Sequence, residues 1–66
     1  MNAEAIGEKL RRLRGEKPRK DVAKALGISI SALTMYETGQ RIPRDEIKIL
    51  LSRYYNQPVE TIFFTK

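Results

Sequence analysis

The side chains that most enzymes use for acid–base or nucleophilic chemistry are scarce in this chain. It has no histidine and no cysteine, which excludes imidazole catalysis, ordinary zinc coordination and a disulfide framework. The eight carboxylates fall mostly on helix faces predicted to be solvated, and none forms a Ser/His/Asp or paired-acid arrangement. We therefore expect no enzymatic activity, no metal site and no cofactor.

Basic side chains dominate the charge of the chain. Thirteen Lys and Arg against eight Asp and Glu give a net charge of +5. This balance favours a polyanionic partner, although charge alone does not identify that partner as nucleic acid. No apolar stretch approaches the roughly 20 residues of a membrane span, and no charged-then-apolar leader opens the chain. We expect a soluble, cytoplasmic protein with no membrane partner.

The pattern of apolar residues predicts an all-α fold. The chain has 66 residues, of which 41% are hydrophobic, and this suits one compact domain over residues 1–66. The helical spacing of apolar residues predicts five short helices. No stretch alternates apolar and polar residues in the way that would predict a β-strand. The helices are expected from Ala3 to Arg14, from Pro18 or Arg19 to Leu26, from Ile30 to Glu37, from Arg44 to Tyr55, and after Pro58 with Val59, Ile62 and Phe63 buried.

The joint between the second and third helices is short and specific. It reads Leu26-Gly27-Ile28-Ser29, in which the glycine suits a left-handed helix exit and Ser29 suits an N-cap. Such a joint sets two helices at a steep angle, as in the unit that binds the major groove of DNA. Ordinary helical hairpins contain similar joints, so this one alone does not settle the function.

Four stretches of the chain together resemble a known family. They are residues 6–14 (IGEKLRRLR), 21–29 (DVAKALGIS), 35–43 (MYETGQRIP) and 57–64 (QPVETIFF). In this order and spacing they resemble the Cro and C1-repressor type of helix-turn-helix proteins, the XRE family, over nearly the whole chain. The resemblance implies a compact five-helix bundle of the phage-repressor DNA-binding type, with helices 2 and 3 as the helix-turn-helix.

At the positions that match the family's motifs, the resemblance implies that the third helix is the recognition helix. It implies base contacts by the outward residues Ile30, Ser31, Ala32, Thr34 and Met35. It also implies contacts with the DNA backbone by Arg19, Lys20, Ser29, Thr38, Gln40 and Arg41. The chain departs from the family at Arg19, where Gln is frequent, and at Pro18, where Ser or Asn usually caps the second helix.

The predicted recognition helix carries no Arg, Asn or Gln, the side chains that make bidentate contacts with base edges. Its outward groups are two hydroxyls and three apolar side chains. Direct reading should therefore depend on thymine methyl groups, with single hydroxyl bonds adding a little. We expect modest sequence discrimination, supplemented by DNA shape.

The resemblance also implies a partly buried ion pair between Arg12 and Glu37, which would tie the first helix to the end of the third. The alternative is two unrelated solvated charges. Most aromatic residues are expected in the core. Phe64 and Leu50 are candidates for a dimer interface, while the alternative for Phe64 is that it folds back onto the first helix.

The function implied is that of a transcriptional regulator, a repressor that binds double-stranded DNA as a homodimer on a palindromic operator. No small-molecule ligand is expected. The alternative is an antitoxin or a restriction-modification controller that also regulates its own promoter. A toxin-like or restriction gene in the neighbouring reading frame would favour that alternative.

Overall fold

The computed structural model describes residues 2–64, and these residues are folded into helices without any β-strand. The elements are α1 (Ala3–Arg14), α2 (Arg19–Leu26), α3 (Ile30–Glu37), α4 (Asp45–Tyr55) and a C-terminal π-helical turn (Glu60–Phe64). The all-α prediction is confirmed. The predicted helix after Pro58 exists, but it winds as a π-helical turn instead of an α-helix.

The core is drawn from every one of these elements. Apolar periodicity places one stripe of each helix inward, and the stripes meet in a single cluster. The buried hydrophobic residues are Ile6, Leu10, Val22, Ala23, Leu26, Leu33, Tyr36, Leu51, Ile62 and Phe63. Burying them stabilises the arrangement of α1, α2 and α3 that positions the outer surface of α3.

The α2–α3 joint has the geometry that its residue types predict. Gly27 adopts a left-handed conformation with φ of 71°, which a residue with a Cβ rarely adopts. Ser29 Oγ accepts a hydrogen bond of 3.0 Å from the Ala32 amide and so caps α3. Ile28 packs against the core between them. The start of α3 is therefore held at a defined angle to α2.

The end of α3 is held against α1 by a close backbone approach at Gly7. A Cβ at this position would lie only 2.5 Å from the Glu37 carbonyl oxygen. Glycine is thus required here by the lack of space between the two helices. This contact brings the last turn of α3 to α1.

No helix within residues 2–64 is both long and apolar enough to cross a membrane. The same residues contain no cluster of three or more acidic, histidine or cysteine side chains suited to holding a metal ion.

Candidate nucleic-acid interface

The outer face of α3 lies open to solvent. Ile30 is 51% exposed and Met35 36% exposed, and Ser31 between them is also exposed. Leu33, Tyr36 and Glu37 on the opposite side of the helix are buried. The helix therefore presents one anchored face and one accessible face, as a helix that enters a DNA groove must do.

The remaining two predicted base-contacting residues lie at the edges of this face. Ala32 is partly buried and packs against the core, so only part of its methyl group is accessible. Thr34 is half-buried, and its Oγ1 donates a hydrogen bond of 2.9 Å to the Ile30 carbonyl. Ser31 makes no side-chain hydrogen bond with another described residue. Its hydroxyl is thus the freest donor on the outer face of α3.

A polar rim borders both ends of α3. At its start, Ser29 is exposed while its Oγ caps the helix. At its end, Thr38 Oγ1 donates to the Thr34 carbonyl at 2.7 Å and accepts a bond of 3.0 Å from Gln40 Nε2. These contacts order the loop that carries the exposed Arg41. Lys20 in α2 is exposed as well.

A buried ion cluster lies behind this surface and joins three helices. The Glu37 side chain is fully buried, with Oε2 at 2.8 Å from Arg14 Nε and Oε1 at 3.0 Å from Arg14 Nη2. Arg19 Nε donates a third hydrogen bond of 2.9 Å to Oε1. The bond with Glu37 is the largest contribution that raises the pKa of the Arg14 guanidinium above its usual value. The carboxylate therefore links the ends of α1 and α3 to the start of α2.

The prediction that Arg12 pairs with Glu37 was wrong. Arg12 is exposed, whereas Arg14 reaches the carboxylate. The two arginines lie about 200° apart around α1, so only one of them can face α3. Arg14 follows Leu10 by four residues and therefore continues the buried stripe of α1, a signal already present in the sequence.

Arg19, which the sequence predicts to contact the DNA backbone, takes part in the ion cluster. Its side chain belongs to the ion cluster but is still 33% exposed at the start of α2. The Nε atom faces Glu37, which fixes the plane of the guanidinium. The structure therefore places Arg19 in an ordered position at the surface.

A helix-turn-helix family model matches residues 8–62, which covers most of the chain and both helices of the motif. The chain belongs to the Cro/C1-type helix-turn-helix family. Neither a curated protein nor a solved structure matched the chain in the corresponding comparisons. Membership makes it a DNA-binding regulator of transcription, in a family of regulatory domains that are not enzymes.

In this helix-turn-helix protein the two residues predicted at a dimer interface are both exposed. Leu50 in α4 is 38% exposed and Phe64 in the π-helical turn is 59% exposed. The Phe64 ring lies beside α4, with Lys48 Nζ 5.4 Å from its centre. The apolar surface at this side of the protein is therefore accessible to a partner.

Tyr55, at the end of α4, lies against the ion cluster. Its hydroxyl is buried and has no hydrogen-bond partner among the described residues. Burial raises the pKa of Tyr55 to about 12, and the nearby Glu37 and Tyr54 add to the shift. The neutral phenol is thus the form that the folded helix-turn-helix domain favours.

Tyr55 should titrate about two pH units above an ordinary tyrosine, whose pKa is about 10. Because the pKa is raised in the folded state, its contribution to stability persists below about pH 10 and is lost as the pH rises from about 10 to 12. Ultraviolet absorbance should show a late phase of tyrosine ionisation that belongs to Tyr55. Tyr55→Phe should remove that late phase, and a late phase that survives the substitution would disprove the assignment.

Proposed function

We propose that this protein represses transcription as a homodimer bound to a palindromic operator. The observation that carries the proposal is the exposed outer face of α3, which begins directly after a capped, ordered turn. A helix held in this way can enter the major groove, where base pairs are distinguishable. Because the target is DNA, we place the protein in the cytoplasm.

The base contacts are assigned to the outer face of α3. Ile30 and Met35 supply apolar surface for thymine methyl groups, and Ser31 supplies a free hydroxyl. Thr34 keeps an acceptor oxygen and a methyl group, since its proton is given to the backbone. Ala32, partly buried, approaches the edge of the groove. These groups make single contacts, so discrimination per half-site is modest.

The backbone contacts are assigned to the polar rim and to the start of α2. Lys20 and Arg41 are exposed cations, and Arg19, the neighbour of Lys20 in the chain, presents an ordered guanidinium. Ser29, whose Oγ accepts from the helix, keeps its proton to donate to a phosphate. Thr38 and Gln40 hold the loop that carries Arg41. Phosphate contacts of this kind supply much of the affinity and make binding salt-dependent.

A dimer follows from the small number of base contacts. One α3 helix offers few groups, and a second copy about 34 Å away, one turn of DNA, would multiply the discrimination. Two copies related by a twofold axis require a palindromic site. Occupation of such a site at a promoter would block transcription.

Selection from random duplex DNA tests this proposal. The enriched sequences should be inverted repeats whose half-site centres lie about one DNA turn apart. An enriched site placed across a promoter should lower expression of a reporter when the protein is present. Enrichment of single, unpaired half-sites would contradict the dimer, and raised reporter expression would contradict repression.

A further inference from the structure

The side of α4 that faces away from the core carries an unusual set of residues. Glu46, Ile49, Leu50 and Arg53 are exposed, while Lys48 and Leu51 are buried. Ile49 is 45% exposed and Leu50 is 38% exposed, so two large aliphatic side chains lie next to each other in solvent. We name these four residues the α4 outer face. An exposed apolar pair bounded by opposite charges is typical of a contact surface.

We propose that the α4 outer face binds the same face of a second copy, with the two helices antiparallel. The inference rests on the dimer of the proposed function and assigns its interface. The twofold axis crosses α4 midway between Ile49 and Leu50. A twofold interface uses the same patch on both copies, so the patch must be complementary to itself.

The order of residues along α4 meets this requirement. Glu46 and Arg53 are equally distant from the midpoint, about 5 Å along the axis at 1.5 Å per residue. Antiparallel packing therefore places Glu46 opposite the partner's Arg53, and the same pair occurs twice. It also places Ile49 opposite the partner's Leu50. Parallel packing would set Glu46 against Glu46 and Arg53 against Arg53, which like-charge repulsion disfavours.

Both charges are available for these pairs. Neither the Glu46 nor the Arg53 side chain makes a hydrogen bond or ion pair with another residue in the described part of the chain. They lie two helical turns apart, too far to pair with each other along α4. Within one copy their positions at the two ends of α4 suit the helix dipole, and both side chains keep their charges available for a partner.

The apolar surface extends beyond α4. Ile49 also lines a groove of about 290 Å³ together with Val59 and the exposed Phe64. Contacts along this groove would extend the interface beyond the four residues of the α4 outer face in each copy. Even so, the interface is small compared with stable dimers, so the free dimer is weak. Two adjacent half-sites raise the effective concentration of the copies and strengthen the dimer on DNA.

A charge-swap experiment on the full chain tests the interface. Glu46→Arg sets Arg against Arg, and Arg53→Glu sets Glu against Glu. Each single variant should raise the dimer dissociation constant roughly tenfold, measured by sedimentation equilibrium. The double swap E46R/R53E should restore the dimer. An equimolar mixture of the two single variants should form a heterodimer, because both of its pairs are then of opposite charge.

Folding and DNA binding supply the controls. Each swap also opposes the α4 helix dipole, but this effect adds in the double swap and cannot be rescued there. Thermal unfolding of each variant shows that effect separately. The proposed interface would be overturned if the single swaps left the dimer dissociation constant unchanged. It would also be overturned if the single swaps weakened the dimer and the double swap did not restore it.

Binding to DNA separates the two proposals. If the swaps do nothing while the protein still binds selected palindromes as a dimer, the interface is wrong and the proposed function stands. If no duplex sequence is enriched at all, the proposed function fails, whatever the swaps show.

Discussion

Replacing Glu37 with alanine should lower the free energy of unfolding by about 3–5 kcal/mol. The carboxylate is fully buried and is shared by Arg14 and Arg19, so its removal leaves two guanidiniums without their partner. Arg14 carries most of the cost, because its side chain is 14% exposed whereas Arg19 is 33% exposed and can be solvated. A loss of this size approaches the whole stability of so small a domain.

Urea unfolding followed by circular dichroism measures this effect. Two substitutions serve as controls, Glu60→Ala at an exposed acid and Arg12→Ala at an exposed base. Each should change stability by no more than about 0.5 kcal/mol, as is usual for surface positions. If Glu37→Ala unfolds at the same urea concentration as Glu60→Ala, the ion cluster does not hold the three helices together.

Ser31→Glu should reduce the affinity for DNA by at least about thirtyfold. Ser31 is exposed on the outer face of α3, so the carboxylate would enter the groove beside phosphates and base acceptors with no cation in α3 to pair with it. A loss of about 1–3 kcal/mol per half-site applies twice in a dimer. Gel shift or fluorescence anisotropy at a fixed salt concentration measures it.

Gln57→Glu is the matched control for this change. It alters the net charge equally but lies on the connection between α4 and the π-helical turn, outside the helix-turn-helix. Its effect should be limited to a small loss from reduced net charge. Ser31→Ala removes only the hydroxyl and should cost far less than Ser31→Glu. Equal losses for Ser31→Glu and Gln57→Glu would show that net charge, and not the outer face of α3, controls binding.

Much of the fold follows from local signals in the sequence. The predicted limits of α1 and α3 agree with the structure, because Gly15, Ser29 and the apolar spacing are local determinants. The α2–α3 joint agrees for the same reason, since only Gly27 needs the left-handed conformation there. The start of α4 differs by one residue, with Arg44 in the capping position.

The contacts between elements were harder to predict. The choice of Arg12 over Arg14 followed family position, although the helical stripe through Leu10 pointed to Arg14. The third member of the ion cluster, Arg19, depends on how α2 approaches α3, and no local pattern encodes this approach. Gly7 likewise is explained only by the Glu37 backbone beside it. The π-helical winding after Pro58 also had no signal in the apolar spacing.

The most direct test of the central claim is a thymine-to-uracil scan of a selected operator. The claim is that the apolar side chains on the outer face of α3, Ile30 and Met35, meet methyl groups in the major groove. Uracil lacks only the methyl group of thymine. We predict that replacing at least one thymine in each half-site weakens binding about fourfold. This factor corresponds to the free energy of burying roughly one methyl group. Unchanged affinity at every thymine would contradict the claim.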